Sequence, residues 1–381
     1  MRFVVLAVAL ALAACVSNPS PPIGKAVPRL SPPSPPPTAI VPPQQVAPPP
    51  SDSPEAGLLL PLSGANEKLG RNLLHAAEMA LLESPPSLLR LVPIDTGRGA
   101  ISLDSGSGGS GAILLGPIFS TETKQLGHPA VPVLALTNDS SAARPGVYVL
   151  GVTPEMQMNR VLSYALSQGL RHYAALLPDT PYGHVISSSM EKTLGQGGGS
   201  ILQTVFYAPD SSDFTVPVQR LADVYRAQPF EALVLPEGGT RGATLAGQVR
   251  RLGMSADKVR LIGSGLWQTA DADPALAGGW YAATPPERQQ SFMRRYQQIY
   301  GEAADPRGLL LYDAVSLAAA MSRSAITPAE LETRDGYSGL SGLFRLEPSG
   351  AVERGLAILE ATPQGAHVRD AAPERFPAPA S

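Results

Sequence analysis

The chain of 381 residues contains one cysteine, Cys15, so no disulfide can form within a single copy. It has only five histidines, and they show neither an HExxH pair nor another metal-binding spacing. A GxSxG nucleophile elbow is absent, and the SxxK sequence from Ser189 to Lys192 lacks the SDN and KTG motifs that would complete a penicillin-binding site. These shortages predict a non-enzymatic protein with no metal and no cofactor.

Charge is also scarce. Charged residues make up 16% of the chain, the net charge is −3 and the pI is about 6.0. Lysine and arginine are scattered, without a basic stripe, so we expect no nucleic-acid partner. Hydrophobic residues make up 44% of the chain, which is enough to form a buried core. A length of 381 residues is typical of about two domains.

The N-terminus has the pattern of a secretory signal peptide over residues 1–14, with Arg2 followed by an apolar run. The sequence Leu12-Ala13-Ala14-Cys15 resembles the bacterial lipoprotein processing box, which implies cleavage before Cys15 and lipidation of that residue. The alternative is a buried cysteine in an ordinary signal peptide or first helix. Since Val16, and not aspartate, follows Cys15, we expect a periplasmic protein anchored through its lipid in the outer rather than the inner membrane.

Residues 15–54 form a proline-rich segment, with 15 prolines in the 39 residues after Cys15. Such a composition favours extended polyproline II, and at about 3.1 Å per residue it reaches roughly 120 Å. We interpret it as a tether between anchor and globular part. A docking peptide for a proline-binding partner is the alternative.

From residue 55, short apolar strands alternate with amphipathic helices, which predicts parallel sheets. The first unit has a strand at Leu58 to Leu60, a turn at Ser63-Gly64 and a helix from Asn66. We predict a loop from Asp179 to Gly183, helices over 185–194 and 244–252, and a hairpin about Pro348 to Gly350. Residues 55–150 and 284–336 would form lobe 1, residues 151–283 and 337–370 lobe 2, with a third crossing near Tyr337, and residues 371–381 a disordered tail.

Three segments carry a family resemblance: Pro61-Leu62-Ser63-Gly64 after the first strand, Gly116-Pro117 followed by Ser120 after the third, and the strand VPVLALTND at 131–139. They resemble type I periplasmic binding proteins of the leucine-binding class. The resemblance implies an α/β fold with two Rossmann-like lobes, parallel sheets and a three-strand hinge. Within that superfamily, GPIFS at 116–120 and LIGSGLW at 261–267 are most similar to lipoproteins known as penicillin-binding-protein activators.

The resemblance also implies a ligand site between the lobes. In the leucine-binding class, first-lobe hydroxyls hold a carboxylate, and a second-lobe tyrosine and acid meet an ammonium group. The matching positions are Ser63, Ser120 and Thr137 in lobe 1, with Tyr182 and Glu237 in lobe 2. Trp267, at a strand end, would either line this cleft or pack the hinge. These residues would otherwise be turn and cap residues of the fold.

Two functions follow from the resemblance. The first is activation of a bifunctional penicillin-binding protein, a peptidoglycan synthase, which would be the partner. The alternative is a solute-binding lipoprotein that delivers a branched-chain or related amino acid to an ABC permease. Bulky Ile118 and Phe119 beside Ser120 disfavour an amino-acid ligand.

Overall fold

The computed structural model describes residues 54–84, 89–99, 111–269, 272–324 and 326–376, without the side chains of residues 111, 112 and 269. The predicted signal peptide, Cys15, nearly all of the tether, the glycine-rich residues 100–110 and residues 377–381 lie outside this description. None of the helices in the described ranges has the length and apolarity that a membrane span requires.

The strands, in chain order, are β1 (Glu55–Leu60), β2 (Arg90–Asp95), β3 (Gly111–Leu115), β4 (Val133–Ala135), β5 (Val147–Val149), β6 (His172–Pro178), β7 (Ser200–Tyr207), β8 (Ala232–Val234), β9 (Arg260–Ile262), β10 (Trp280–Ala283), β11 (Tyr337–Gly339), β12 (Gly342–Leu346), β13 (Val352–Arg354), β14 (Ala357–Thr362) and β15 (Gly365–Asp370). The helices are α1 (Glu67–Glu83), α2 (Ser120–Gln125), α3 (Pro154–Ser167), α4 (Pro181–Gly197), α5 (Thr215–Ala227), α6 (Gly239–Arg251), α7 (Pro286–Tyr300), α8 (Gly308–Met321) and α9 (Pro328–Leu331).

Lobe 1 is built on a parallel sheet in the order β2-β1-β3-β4-β5. The apolar run at the end of β1 is fully buried, and Pro61 follows it as the sequence predicts. Helix α1 buries Leu73, Ala76 and Ala80 on the face that the spacing indicates. Asn66 precedes this helix, but its side chain makes no capping hydrogen bond.

Lobe 2 is built on a sheet in the order β15-β14-β10-β9-β8-β6-β7. Strands β6 to β10 pair in parallel, whereas β14 and β15 pair antiparallel, so the sheet is mixed rather than wholly parallel as the resemblance implied. β14 and β15 form a hairpin, which needs only the short turn at Pro363-Gln364, and β14 also pairs antiparallel with β10. With the sheet of lobe 1, this architecture is the α/β type I periplasmic-binding-protein fold.

Within the described residues, the chain passes three times between the lobes, at residues 150–153, 284–285 and 355–356. The sequence placed the third crossing near Tyr337, and this placement is wrong. The predicted hairpin is present, but its strands β12 and β13 join β11 in a small separate sheet. Phe344, Leu346 and Val352 of this sheet pack into the core of lobe 1, so residues 337–354 belong with lobe 1.

A buried network of charged and polar groups joins two of these crossings. The Nε and Nη2 atoms of Arg354 donate to the Leu150 carbonyl oxygen at 3.0 and 2.6 Å, and Nη1 donates to the Ser341 hydroxyl at 2.9 Å. Asp313 of α8 accepts from the Ser341 hydroxyl and from the backbone N–H groups of Leu340 and Ser341, both at 2.7 Å. The third crossing is thereby held to the first.

Part of the predicted disordered tail has a defined place. The ring of Phe376 lies 4.5 Å from the guanidinium carbon of Arg345, a cation–π distance, and Pro373 lies against Gly355. Residues 373 and 376 are therefore held against the third crossing and the small sheet.

Candidate functional site

A cavity of about 580 Å³ lies between the two lobes. Lobe 1 contributes the loops after β3 and β4 and the start of α8, and lobe 2 contributes the turn at 265–269. Most of its wall area is apolar, and the apolar side chains are those of Ile118, Phe119, Leu136, Val152, Leu266, Pro306, Leu309 and Leu310. Its polar lining consists of Ser120, Thr137, Asn138, Asp139, Gln268, Thr284, Gln289 and Arg307. We call this cavity the cleft.

Ser120 and Thr137, two of the predicted ligand residues, both line the cleft. Their hydroxyl groups converge on Asp139, a residue that the sequence reasoning did not single out. The Ser120 hydroxyl donates to the Asp139 carboxylate, and the Asp139 backbone N–H donates to the Thr137 hydroxyl at 3.2 Å. The Ser120 hydroxyl, which was expected to donate to a ligand carboxylate, therefore already donates to the carboxylate of Asp139.

Asp139 is the centre of a small charged cluster in this loop. Lys124 Nζ lies 2.9 Å from its Oδ2, and the backbone N–H of Ser141 donates to its Oδ1 at 3.0 Å. Partial burial opposes ionisation of Asp139, but the hydrogen bonds from Lys124, Ser120 and Ser141 outweigh it and hold the pKa of this carboxyl well below its usual range. Asp139 is therefore ionised at neutral pH.

The lowered pKa gives Asp139→Asn a pH-dependent effect. Because the folded-state pKa lies below the unfolded value of about 3.9, ionised Asp139 stabilises the fold above that pH, and the contribution is lost as the pH falls towards the folded-state pKa. We expect the variant to melt below the wild type at pH 7, with a difference that shrinks below about pH 4. Thermal melts from pH 7 to pH 3 check this, and Asp223→Asn, an exposed pair with Arg226, is the control. A difference unchanged across the range would contradict the prediction.

Ser63, the third predicted hydroxyl, does not line the cleft. It lies in the turn after β1 and donates to Asp95 at the end of β2. Its hydrogen bond, with those from the backbone N–H groups of Gly97 and Leu62, holds the pKa of Asp95 below its ordinary value. Ser63 therefore ties two strand ends together.

Tyr182 is also directed elsewhere. It lies in the first turn of α4, which begins at Pro181, and not in the loop that the sequence predicted. Its hydroxyl bonds with the Ser264 hydroxyl at 2.9 Å and the Pro236 carbonyl oxygen at 3.2 Å, all within lobe 2. Burial raises the pKa of Tyr182 to about 12. The Tyr182 hydroxyl therefore already has protein partners. Its predicted contact with a ligand remains a prediction.

Glu237 follows β8 and is likewise engaged inside lobe 2. Its Oε2 accepts a hydrogen bond from the Tyr207 hydroxyl and lies 3.3 Å from Arg241 Nε. The Arg241 guanidinium also lies over the rings of Tyr207 and Phe214, at 5.4 and 5.0 Å. Burial, together with the Glu237 charge, raises the pKa of Tyr207. Glu237 does not line the cleft.

Trp267 packs in the core of lobe 2 and does not line the cleft. Its side chain is fully buried, its Nε1 donates to the Leu235 carbonyl oxygen at 3.1 Å, and its ring lies against Gly263 and Gly279. Of the two interpretations drawn from the sequence, the structure favours packing, within lobe 2. Its neighbours Leu266 and Gln268 reach the cleft, so Trp267 anchors the turn that supplies the lobe 2 wall.

Six polar residues of the cleft lining were not among the predicted ligand residues: Asn138, Asp139, Gln268, Thr284, Gln289 and Arg307. Asp139 lies two residues after Thr137 in the segment that carries the family resemblance, so its position was a usable signal. Gln268 directly follows Trp267. Arg307 precedes α8, far along the chain, and nothing in its local sequence indicates the cleft.

No cluster of three or more potential metal-binding side chains occurs among the residues that the structure describes.

Comparison with known proteins gives one family. The family model described as "Periplasmic binding protein" matches residues 116–366. An uncharacterized protein of Rickettsia prowazekii is 23% identical over 176 residues, which cover 44% of this chain and 47% of that protein. The match thus spans about half the length of this curated relative.

Two solved structures share the fold. A protein of Rhodospirillum rubrum assigned to a branched-chain amino acid ABC transporter has a TM-score of 0.70 and 19% identity, covering 83% of this chain and 99% of its own. A solute-binding protein of an ABC transporter from R. palustris, in complex with benzoate, has a TM-score of 0.58 and 15% identity, covering 86% and 98%. At identities this low, the comparison shows a shared fold and nothing about the ligand.

Proposed function

Because the chain belongs to the periplasmic binding protein family, we propose that it binds a small organic solute between its lobes and delivers it to an ABC permease. Family membership implies a periplasmic location. The solute-binding alternative drawn from the sequence thus has more support than synthase activation, since neither solved structure named above is described as an activator. We further propose that the protein acts by binding and not by catalysis.

The observation that carries this proposal is the cleft itself. Its volume of about 580 Å³ lies within the range of pockets for small ligands, and both lobes contribute to its walls. Short crossings between lobes are the usual means by which two lobes close around a ligand. Gln268 of lobe 2 and Gln289 of α7 in lobe 1 lie 3.4 Å apart, so a polar contact already spans the cleft.

A thermal melt of the full-length chain in detergent tests this proposal against leucine, isoleucine, benzoate and their carboxamides at millimolar concentration. A ligand at about a thousand times its dissociation constant adds roughly 4 kcal/mol to the free energy of unfolding. We expect at least one compound to raise the melting temperature by several degrees.

Two exposed leucines provide a matched pair of variants. Leu266 lines the cleft and is 51% exposed, whereas Leu252 at the end of α6 is 40% exposed and lies outside it. We expect Leu266→Glu to abolish the ligand shift and Leu252→Glu to preserve it. A flat panel, or a shift that survives Leu266→Glu, would count against solute binding in this cleft.

The finer features of the sequence interpretation remain proposals. These are lipidation at Cys15, the outer-membrane anchor and the tether. Synthase activation also remains a proposal. Tyr182 and Glu237, which would meet an amino acid's ammonium group, are engaged inside lobe 2, and this counts only against an amino-acid ligand. Co-purification of the full-length chain with a bifunctional penicillin-binding protein, unaffected by Leu266→Glu, would support that function.

A further inference from the structure

Arg307 is a cation held rigidly at the cleft wall. Its Nε and Nη2 atoms donate to the two carboxylate oxygens of Asp305 at 2.7 and 2.8 Å, and Asp305 is itself held by its backbone N–H, which donates to Asn72 Oδ1 at 2.7 Å. The Arg307 side chain is 40% exposed, and Nη1 has no hydrogen-bond partner among the described residues. A guanidinium whose orientation is fixed in advance can bind an anion without losing further side-chain entropy.

Asp139, the other charged residue of the cleft lining, has its hydrogen-bonding capacity used by α2 and by its own loop. Both of its oxygens accept hydrogen bonds, from Ser120, Lys124 and Ser141. The Lys124 ammonium balances its charge, so an incoming ammonium group would compete with a cation already in place. Arg307 is in turn paired with Asp305, but its Nη1 is not used in that pair, so a ligand carboxylate would find its donor there.

Elsewhere in the described lining there is no further acid for an ammonium group. Glu237 lies outside the lining and is paired with Tyr207 and Arg241. Burying an ammonium group without an acid to pair with it costs free energy, and an apolar wall offers no interaction that offsets this cost. The remaining surface is apolar or carries neutral amides and hydroxyls, which suits a ligand with an apolar body.

We infer that the cleft selects a monocarboxylate with an apolar body and no ammonium group, and that the guanidinium of Arg307 binds its carboxylate. This inference rests on the proposed function and narrows it, because an amino acid becomes a weaker ligand than its deaminated analogue. Arg307 then decides specificity, with Asp305 as the residue that positions it.

Isothermal titration of the full-length chain in detergent tests the inference with two matched sets. Leucine is compared with 4-methylpentanoate, which has hydrogen in place of the amino group, and with 4-methylpentanamide, which has no charge. Benzoate is compared with benzamide. We expect at least one of the two carboxylates to bind about 10-fold or more tightly than its partners in the set.

Variants then assign the effect to a residue. Arg307→Gln should weaken carboxylate binding by about 10- to 100-fold, the loss expected for a hydrogen bond to a charged group, and leave the amides unchanged. Arg307→Lys keeps the charge beside Asp305 and should lose less. Arg294→Gln removes the same charge from an exposed position of α7 outside the cleft and should bind like the wild type.

The outcomes separate this inference from the function on which it rests. If leucine or an amide binds more tightly than the carboxylate, or if Arg307→Gln binds carboxylates like the wild type, the inference is overturned while solute binding stands. If Arg307→Gln fails to fold, Arg307→Lys decides: unchanged affinity for both carboxylates and amides overturns the inference. If no compound binds, the inference and the proposed function both fall.

Discussion

Replacing Arg354 with methionine is expected to lower the free energy of unfolding by about 3–5 kcal/mol, the usual cost of removing one partner from a buried charged network. Asp313 would keep its burial without its nearby cation, and the Leu150 carbonyl oxygen would lose two donors. Burial lowers the pKa of Arg354 to about 10, against the opposing charge of Asp313, so the guanidinium is still protonated at neutral pH. Urea denaturation at pH 7 measures the loss.

Arg71→Met is the matched control for this prediction. Arg71 forms an exposed pair with Glu67 one helical turn away, and such pairs contribute about 0.3–0.5 kcal/mol. Because Arg354 joins the first and third crossings, small-angle scattering of Arg354→Met should also show a wider distribution of lobe arrangements. Unfolding within about 0.5 kcal/mol of the wild type would show that the network does not hold the hinge.

Trp267→Ala is expected to destabilise the protein by about 3–5 kcal/mol, the range for removing a large aromatic side chain from a core. The side chain is fully buried, and its loss would also leave the Leu235 carbonyl oxygen without its donor. Since Trp267 anchors the turn that carries Leu266 and Gln268, ligand binding should weaken in parallel. Urea denaturation and the ligand-induced thermal shift measure the two effects.

Trp267→Phe separates packing from hydrogen bonding. It keeps a ring between Gly263 and Gly279 but removes the N–H, so its destabilisation should fall well below that of the alanine variant. Leu252→Ala, at a 40% exposed position of the same lobe, should change the free energy of unfolding by less than about 0.5 kcal/mol. A loss below about 1 kcal/mol in Trp267→Ala would contradict its anchoring role.

Much of the fold follows from local patterns in the sequence. Alternation of apolar strands with amphipathic helices predicts both lobes, but the starts of α4 and α6 were placed too late. Pro181 and Gly183 indicate a loop when taken alone, yet proline fits the first turn of a helix. Gly183 is needed because a Cβ there would lie 1.9 Å from the Pro178 carbonyl oxygen, and Gly242 of α6 meets Glu237 in the same way at 2.2 Å. The spacing of apolar residues along the sequence does not reveal where a helix packs closely against the end of a strand.

The candidate site was predictable only in part, and the division has a physical cause. Ser120 and Thr137 follow the carboxyl ends of strands whose positions the sequence defines, so their convergence in the cleft could be predicted. Whether a side chain is free for a ligand depends on partners distant in sequence. The Tyr182 hydroxyl donates to the Ser264 hydroxyl, 82 residues away along the chain. Arg307 lies directly before α8, and no local motif indicates that this position lines the cleft.

The placement of the last strands has a consequence for the order of events during synthesis. The core of lobe 1 includes Phe344, Leu346 and Val352, and the sheet of lobe 2 includes β14 and β15, so both lobes need residues beyond 340. In a chain emerging from the ribosome, both cores therefore stay incomplete until residues beyond 340 have been made. Contacts of such sequence separation form slowly. We expect that a chain ending before residue 340 would expose apolar surface in both lobes at once, and that neither lobe would complete its fold before residues beyond 340 are made.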